Sequence, residues 1–164
     1  LPFRGEVARA KAVVAALNGK DKVAKFGGAE IRDGGSLASG VLTSHIAALE
    51  GAGWTFAGLR KSPLAKLAAE ASREAVAVLA AVQGKKPPLS RKLVRPWTIL
   101  PALRFAAWRM PYDFEVYLRY HFTKVRDQTA FSLGELVRLG ASHGLPVTAI
   151  ESLRQTVFGS AAER

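Results

Sequence analysis

The chain has 164 residues, 49% of them hydrophobic and 23% charged, which is the composition of a folded globular protein and far from that of a disordered chain. It contains no cysteine, which excludes disulfides, thiolate metal sites and thiol nucleophiles. Its formal net charge is +11, from 24 Lys and Arg against 13 Asp and Glu; that excess either attracts phosphates, acidic ligands or nucleic acid, or is an inert solvated surface.

At this length a single domain over residues 1–164 can bury about two-thirds of the surface of its unfolded chain. Charged residues interrupt every apolar window short of the roughly 18 residues that a spanning helix needs, so no membrane partner is expected. There is no signal-peptide pattern, and the chain starts at Leu1 rather than Met, which reads as a fragment or a processed piece; the lack of cysteine fits a reducing cytosol, so a cytoplasmic protein is expected.

In chain order, Glu6 to Leu17 is rich in Ala and Val and precedes Asn18-Gly19, predicting a short helix with a glycine cap. Residues 19–35 are polar and Gly-rich, and Val23, Phe26 and Ile31 support no more than a short extended piece. From Leu37 to Leu49 the spacing of Leu37, Val41, Leu42, His45, Ala48 and Leu49 predicts an amphipathic helix. It runs on toward Leu59 if Gly51 and Gly53 only loosen it.

Ser62-Pro63 opens the best-defined helix and Gly84 ends it. Leu64, Leu67, Ala71, Ala75, Val78 and Val82 form its buried stripe, and Lys66, Glu70, Arg73 and Glu74 can pair along its other faces. A basic loop follows, with Lys85, Lys86, Arg91, Lys92 and Arg95 around Pro87-Pro88. Trp97 to Met110 is apolar and aromatic with Pro101 inside, predicting a kinked or broken helix.

Asp113 begins a helical pattern that passes Tyr120 and extends to Gln128, and Thr129 to His143 continues as a helix closed by Gly144. Beyond Pro146, Thr148 and Glu151 have capping-box spacing and predict a last helix to about Val157, before a frayed end. The fold class is therefore all-α, a bundle of five to seven helices with almost no strand.

The three histidines, His45, His121 and His143, lack partners at metal-binding spacing, so no metal site is expected. His143 suits a helix C-terminus, and His121 lies among Tyr117, Tyr120 and Phe122. His45 falls on the apolar stripe of its helix, where a polar ring must find a partner or face a cleft. No glycine set makes a dinucleotide fingerprint. The segment Tyr117 to Gln128 is either a cleft wall that binds an anion through Lys124 or Arg126, or a solvated ion-paired face. For nucleic acid only the loop from Lys85 to Trp97 offers a surface, and that partner is not expected.

Two segments resemble a known family. The helix Leu64–Leu79, with its mid-helix glutamate and terminal Gly84, is similar to the long helix of the ketopantoate reductase (2-dehydropantoate 2-reductase) C-terminal domain. Leu136 to Val147 resembles that family's closing signature, a helix ending in His-Gly followed by a loop into the final helix. The similarity covers roughly residues 36–157.

The resemblance implies a bundle like the 6-phosphogluconate dehydrogenase C-terminal-like domain. It would be the helical half of an NADP-dependent 2-keto acid reductase of pantothenate biosynthesis, inactive alone; a separate reading takes the aromatic segment around Trp97 to Trp108 as a homodimer interface or as part of the domain's own core. NADP would be bound mainly by a Rossmann half that this chain lacks. With His45 at the family's asparagine position, Val41 stands where the family has its catalytic lysine, and the family's substrate-binding glutamate falls at Gln128. The catalytic residue is thus unassigned, and the resemblance implies His45, Lys124 and Gln128 as the substrate-binding residues. Lys124 would bind a carboxylate and Gln128 orient a hydroxyl or carbonyl. The alternative is a stand-alone basic helical module that binds an acidic protein or nucleic acid.

Overall fold

The computed structural model describes residues 2–3, 30–31 and 37–159. They fall into two compact units, Leu1–Gly35 and Ser36–Arg164. In the first, β1 (Pro2–Phe3) pairs in parallel with β2 (Glu30–Ile31), Pro2 opposite Glu30 and Phe3 opposite Ile31. Ile31 thus lies in a short extended piece, as expected. The helix expected over Glu6–Leu17 and the expected frayed end at Ala161–Arg164 lie outside the described residues.

The second unit is all-α, with seven helices among the described residues: α1 (Leu37–Gly51), α2 (Phe56–Lys61), α3 (Leu64–Val82), α4 (Pro96–Arg109), α5 (Phe114–Thr123), α6 (Arg126–Ser142) and α7 (Thr148–Phe158). A 3-10 turn, Leu89–Leu93, leads into α4. Among the described residues no helix is long and apolar enough to cross a membrane.

Helix α3 is the hub of the unit, packed chiefly on α1 and α7 and also on α6. The face α1 buries is made largely of small residues, Gly40, Ser44, Ala47 and Ala48, and α3 buries Ala68, Ala71, Ser72 and Ala75. A Cβ added at Gly40 would lie 2.9 Å from the Ala75 Cβ, so the two backbones approach too closely for a larger residue there. This explains why Leu42, expected on the stripe, is exposed: α1 turns its small residues inward. Val82, also expected to be buried, is partly exposed at the end of α3. Leu49, Leu59, Leu133, Ile150 and Leu153 fill the centre.

The helix ends follow local chemistry in most places. The Ser62 hydroxyl accepts the Leu64 N–H at 3.1 Å, and at the other end of α3 Gly84 takes φ +65°, so Lys85 N–H bonds back to the Ala80 carbonyl at 2.9 Å. Gly144, with φ +63°, closes α6 in the same way. At the end of α1, Gly53 and Trp54 both take positive φ, so the chain turns there and α2 is a separate helix rather than a continuation. Helix α4 is unbroken despite Pro101; the ring removes one bond, to the carbonyl of the outward-facing Trp97, which water can satisfy.

Three expectations are corrected, two of them by contacts between distant segments. The pattern from Asp113 to Gln128 is divided at Lys124-Val125, because Val125 leaves helical dihedrals (φ −114°, ψ 25°) and α6 starts at Arg126. The Thr148–Glu151 capping box does not form; Glu74 of α3 instead accepts the Ala149 and Ile150 N–H groups, each at 3.0 Å, and so caps α7 from another helix. Arg73, expected to pair along α3, donates to the Val94 carbonyl at 2.8 Å and ties down the loop. In the same manner Glu115 of α5 accepts the Phe56 N–H at the start of α2 at 2.6 Å. Glu74→Ala leaves two helix-terminal donors without their acceptor, an expected loss of about 1–2 kcal/mol, with Glu74→Gln closer to the parent. Urea midpoints check this; a Glu74→Ala midpoint equal to the parent's would contradict it.

Candidate functional site

His45 lies in the seam between α1 and α3, only 7% exposed. Its Nδ1 is 2.9 Å from the Val41 carbonyl one turn earlier and 3.2 Å from the Ser72 hydroxyl on α3. The polar ring on an apolar stripe has therefore found a partner across the seam rather than a cleft. Burial pulls its pKa below the ordinary 6.5, with the Val41 bond opposing, so the ring is neutral and joins the two helices.

That environment has a pH signature. The unfolded chain takes up the His45 proton near 6.5 and the folded one only at lower pH, so this contribution to stability is complete above 6.5 and is lost as pH falls below it. The slope from this group is at most about 1.4 kcal/mol per pH unit, the limit for one proton. His45→Asn is expected to flatten the stability profile between neutrality and the carboxylate range. A parent profile already flat there would contradict the assignment.

Lys124 stands at the α5–α6 junction and Gln128 in α6. The Lys124 ammonium lies 3.8 Å from the centre of the Tyr120 ring and borders a shallow groove of about 460 Å³, shared with Val116, Arg119, Tyr120 and Thr123. Gln128 is exposed on the first turn of α6. The partners of His45 are Val41 and Ser72 and that of Lys124 is Tyr120, so no contact joins the expected site residues.

Arg126, which the sequence leaves open as an anion ligand or as part of a solvated face, has another task. Its Nε donates to Glu50 at 2.5 Å, its Nη2 to the Val157 carbonyl at 3.2 Å, and its guanidinium lies over the Phe158 ring. One side chain thereby holds the start of α6 against the ends of α1 and α7. The other Glu50 oxygen, Oε2, is buried without a partner among the described residues, which makes this carboxylate dependent on Arg126.

Sequence reasoning missed a second cleft, of about 420 Å³, between α2, α4 and the start of α5. Phe56, Leu100 and Phe114 form its apolar wall, and Arg60 and Arg104 bring two guanidinium groups to it. Asp113 and Glu115 line the same cleft, so its charge is mixed, with two guanidinium groups and two carboxylates around the apolar wall. Arg60 and Arg104 are far apart in sequence and share no motif, so only the fold brings them together. Neither cleft is lined by His45 or Gln128.

The other two histidines are structural. His143 is the C-cap of α6, its Nδ1 2.9 Å from the Leu139 carbonyl. His121 is exposed and stacks on Tyr117 with centroids 5.7 Å apart. Among the described residues no group of three or more His, Cys, Asp or Glu could hold a metal ion. No protein-family model, curated protein or solved structure matches the chain.

Proposed function

We propose that the chain is the helical, substrate-closing part of an NADP-dependent 2-keto acid reductase of ketopantoate-reductase type, with a bundle like the 6-phosphogluconate dehydrogenase C-terminal-like domain. The observation that carries this reading is the parallel pairing of Pro2–Phe3 with Glu30–Ile31 ahead of an all-α unit. Parallel strands need a connection of a dozen or more residues and belong almost entirely to α/β sheets. Residues 4–29 are long enough for such a crossover. A parallel pair followed by a helical body is the order of a nucleotide-binding sheet joined to a helical domain.

A second support comes from the helical unit. The two segments that carry the family resemblance, Leu64–Leu79 and Leu136–Val147, meet in the bundle: Val78 of the first lies against Gly140 of the second. Glu74 then caps the helix into which the second leads.

In this reading bound NADPH would supply the hydride for reduction of a 2-keto acid to a 2-hydroxy acid. The sequence has no dinucleotide fingerprint, so the cofactor would be held mainly by another domain. Lys124 binds the substrate carboxylate from its groove, and Gln128, exposed on the first turn of α6 outside that groove, is the residue the resemblance implies for the hydroxyl or carbonyl. His45, bound to Val41 and Ser72, positions α1. Val41, where the family has lysine, offers no proton, so the donor lies elsewhere in the assembled enzyme. In an intact protein that turns over a 2-keto acid with NADPH, Lys124→Ala is expected to raise KM roughly tenfold or more, the worth of one charge-assisted hydrogen bond. An unchanged KM would remove Lys124 from the site.

A stand-alone basic module for an acidic protein or nucleic acid is the second reading. It is favoured by the stretch from Lys85 to Tyr112, which has seven basic residues and no acidic one. It requires binding that weakens steeply with salt.

A further inference from the structure

Helix α4 is apolar on two faces, and only one of them is used. Leu100, Leu103 and Ala107 pack against the core at spacings of three and four. The opposite stripe carries Trp97, Phe105 and Trp108, which are 67%, 62% and 74% exposed. Leu89 and Leu93 of the preceding turn are exposed beside this helix in sequence. Large apolar side chains exposed together on one helix, with the Phe105 and Trp108 ring centroids 5.8 Å apart, mark an interaction site, so the outer stripe of α4 calls for an occupant.

The charge around the stripe narrows the choice. Lys85, Lys86, Lys92, Arg95, Arg104 and Arg109 are exposed, and no acidic residue occurs between Lys85 and Tyr112. The next acidic groups, Asp113 and Glu115, are engaged with the Val116 and Phe56 N–H groups. A second copy of the chain would set this positive segment against itself, which costs rather than gains. Nucleic acid would use the basic residues and stack on the aromatics, but leaves Leu89 and Leu93 facing a polar backbone. The headgroup and acyl boundary of an anionic bilayer satisfies all three features: tryptophan at the interface, aliphatic side chains just below it, and Lys and Arg against the lipid phosphates.

We propose that the turn Leu89–Leu93 and the outer face of α4 dock on the surface of an anionic lipid bilayer. The helix lies in the plane of the interface; with 14 residues it is too short to span. The absence of a spanning helix concerns the bilayer interior and has no bearing on its surface. The proposal is independent of the reductase reading, because lipid partition is measured with neither NADPH nor a keto acid present.

The test is co-sedimentation of the chain with vesicles of phosphatidylcholine alone and of phosphatidylcholine mixed with phosphatidylglycerol. Two variants, Trp97→Ser/Trp108→Ser and Lys92→Glu/Arg109→Glu, are measured beside the parent after circular dichroism shows equal helicity. Each basic residue near such a surface is worth about 1 kcal/mol, roughly fivefold in partition. The expected results are partition into the anionic vesicles at least about tenfold above the neutral ones, falling with added salt, and a loss of about tenfold or more in each variant. Equal partition into both vesicle types, or anionic partition that neither variant reduces, overturns the proposal. So does an oligonucleotide that displaces the chain from lipid, which moves the face to nucleic acid, or a lipid-free dimer that the tryptophan variant abolishes.

Discussion

Arg126→Ala is expected to destabilise the protein by about 2–4 kcal/mol, an effect far larger than loss of a surface ion pair. The substitution removes the Nε bond to Glu50, the bond to the Val157 carbonyl and the cover over Phe158 together. The larger part of the cost is what remains. Glu50 has a side chain only 14% exposed and already carries one unpartnered oxygen, so without the guanidinium its charge stands alone at the junction of α1, α6 and α7. Replacing both partners, as Arg126→Met with Glu50→Gln, is expected to recover more than half of the loss, since no charge is then stranded. Denaturant melts of the parent, Arg126→Ala and the double variant check this. A loss below about 1 kcal/mol for Arg126→Ala would return this residue to the solvent-facing role that the sequence suggested.

Gly140→Val is expected to cost about 2–3 kcal/mol, although glycine within a helix is itself unfavourable by about 1 kcal/mol against alanine. A Cβ at Gly140 would lie 3.0 Å from the Val78 Cγ2 on α3 and closer still to Val147, so any side chain pushes α6 away from α3 and from the entry to α7. Gly134, two turns earlier on the same helix, is the control. Its Cβ would meet only the Arg154 guanidinium, at 3.6 Å, and Gly134→Ala is expected to stabilise by about 0.5–1 kcal/mol. Shortening the neighbour, as Val147→Ala in the Gly140→Val background, is expected to restore part of the loss, which identifies the contact as steric. Equal effects at Gly134 and Gly140 would contradict the packing described for this face.

What the sequence made legible was local. Ser62-Pro63 and Gly84 bound α3 and the His143-Gly144 pair ends α6, because each cap is completed by groups within a few residues. His45 was legible as a polar group needing a partner, while Ser72, 27 residues away, was not. Glu74 reaches Ala149 across 75 residues and Arg126 reaches Glu50 across 76, and no pattern along the chain marks such pairs. The apolar content of α4 identified a helix, yet periodicity could not say that Trp97 and Trp108 would face outward, since both of its faces are apolar. The cleft that joins Arg60 to Arg104 was hidden for the same reason, as its two guanidinium groups belong to different helices.

The central proposal, that this helical unit serves a nucleotide-dependent reductase, is tested most directly on the natively expressed gene product. Its intact mass and its NADPH binding, followed by nicotinamide fluorescence, are measured on one sample. The account predicts a product larger than 17.6 kDa by roughly the size of one further domain, and saturable NADPH binding. A product of 17.6 kDa that leaves NADPH fluorescence unchanged would contradict it and leave the basic binding module in its place.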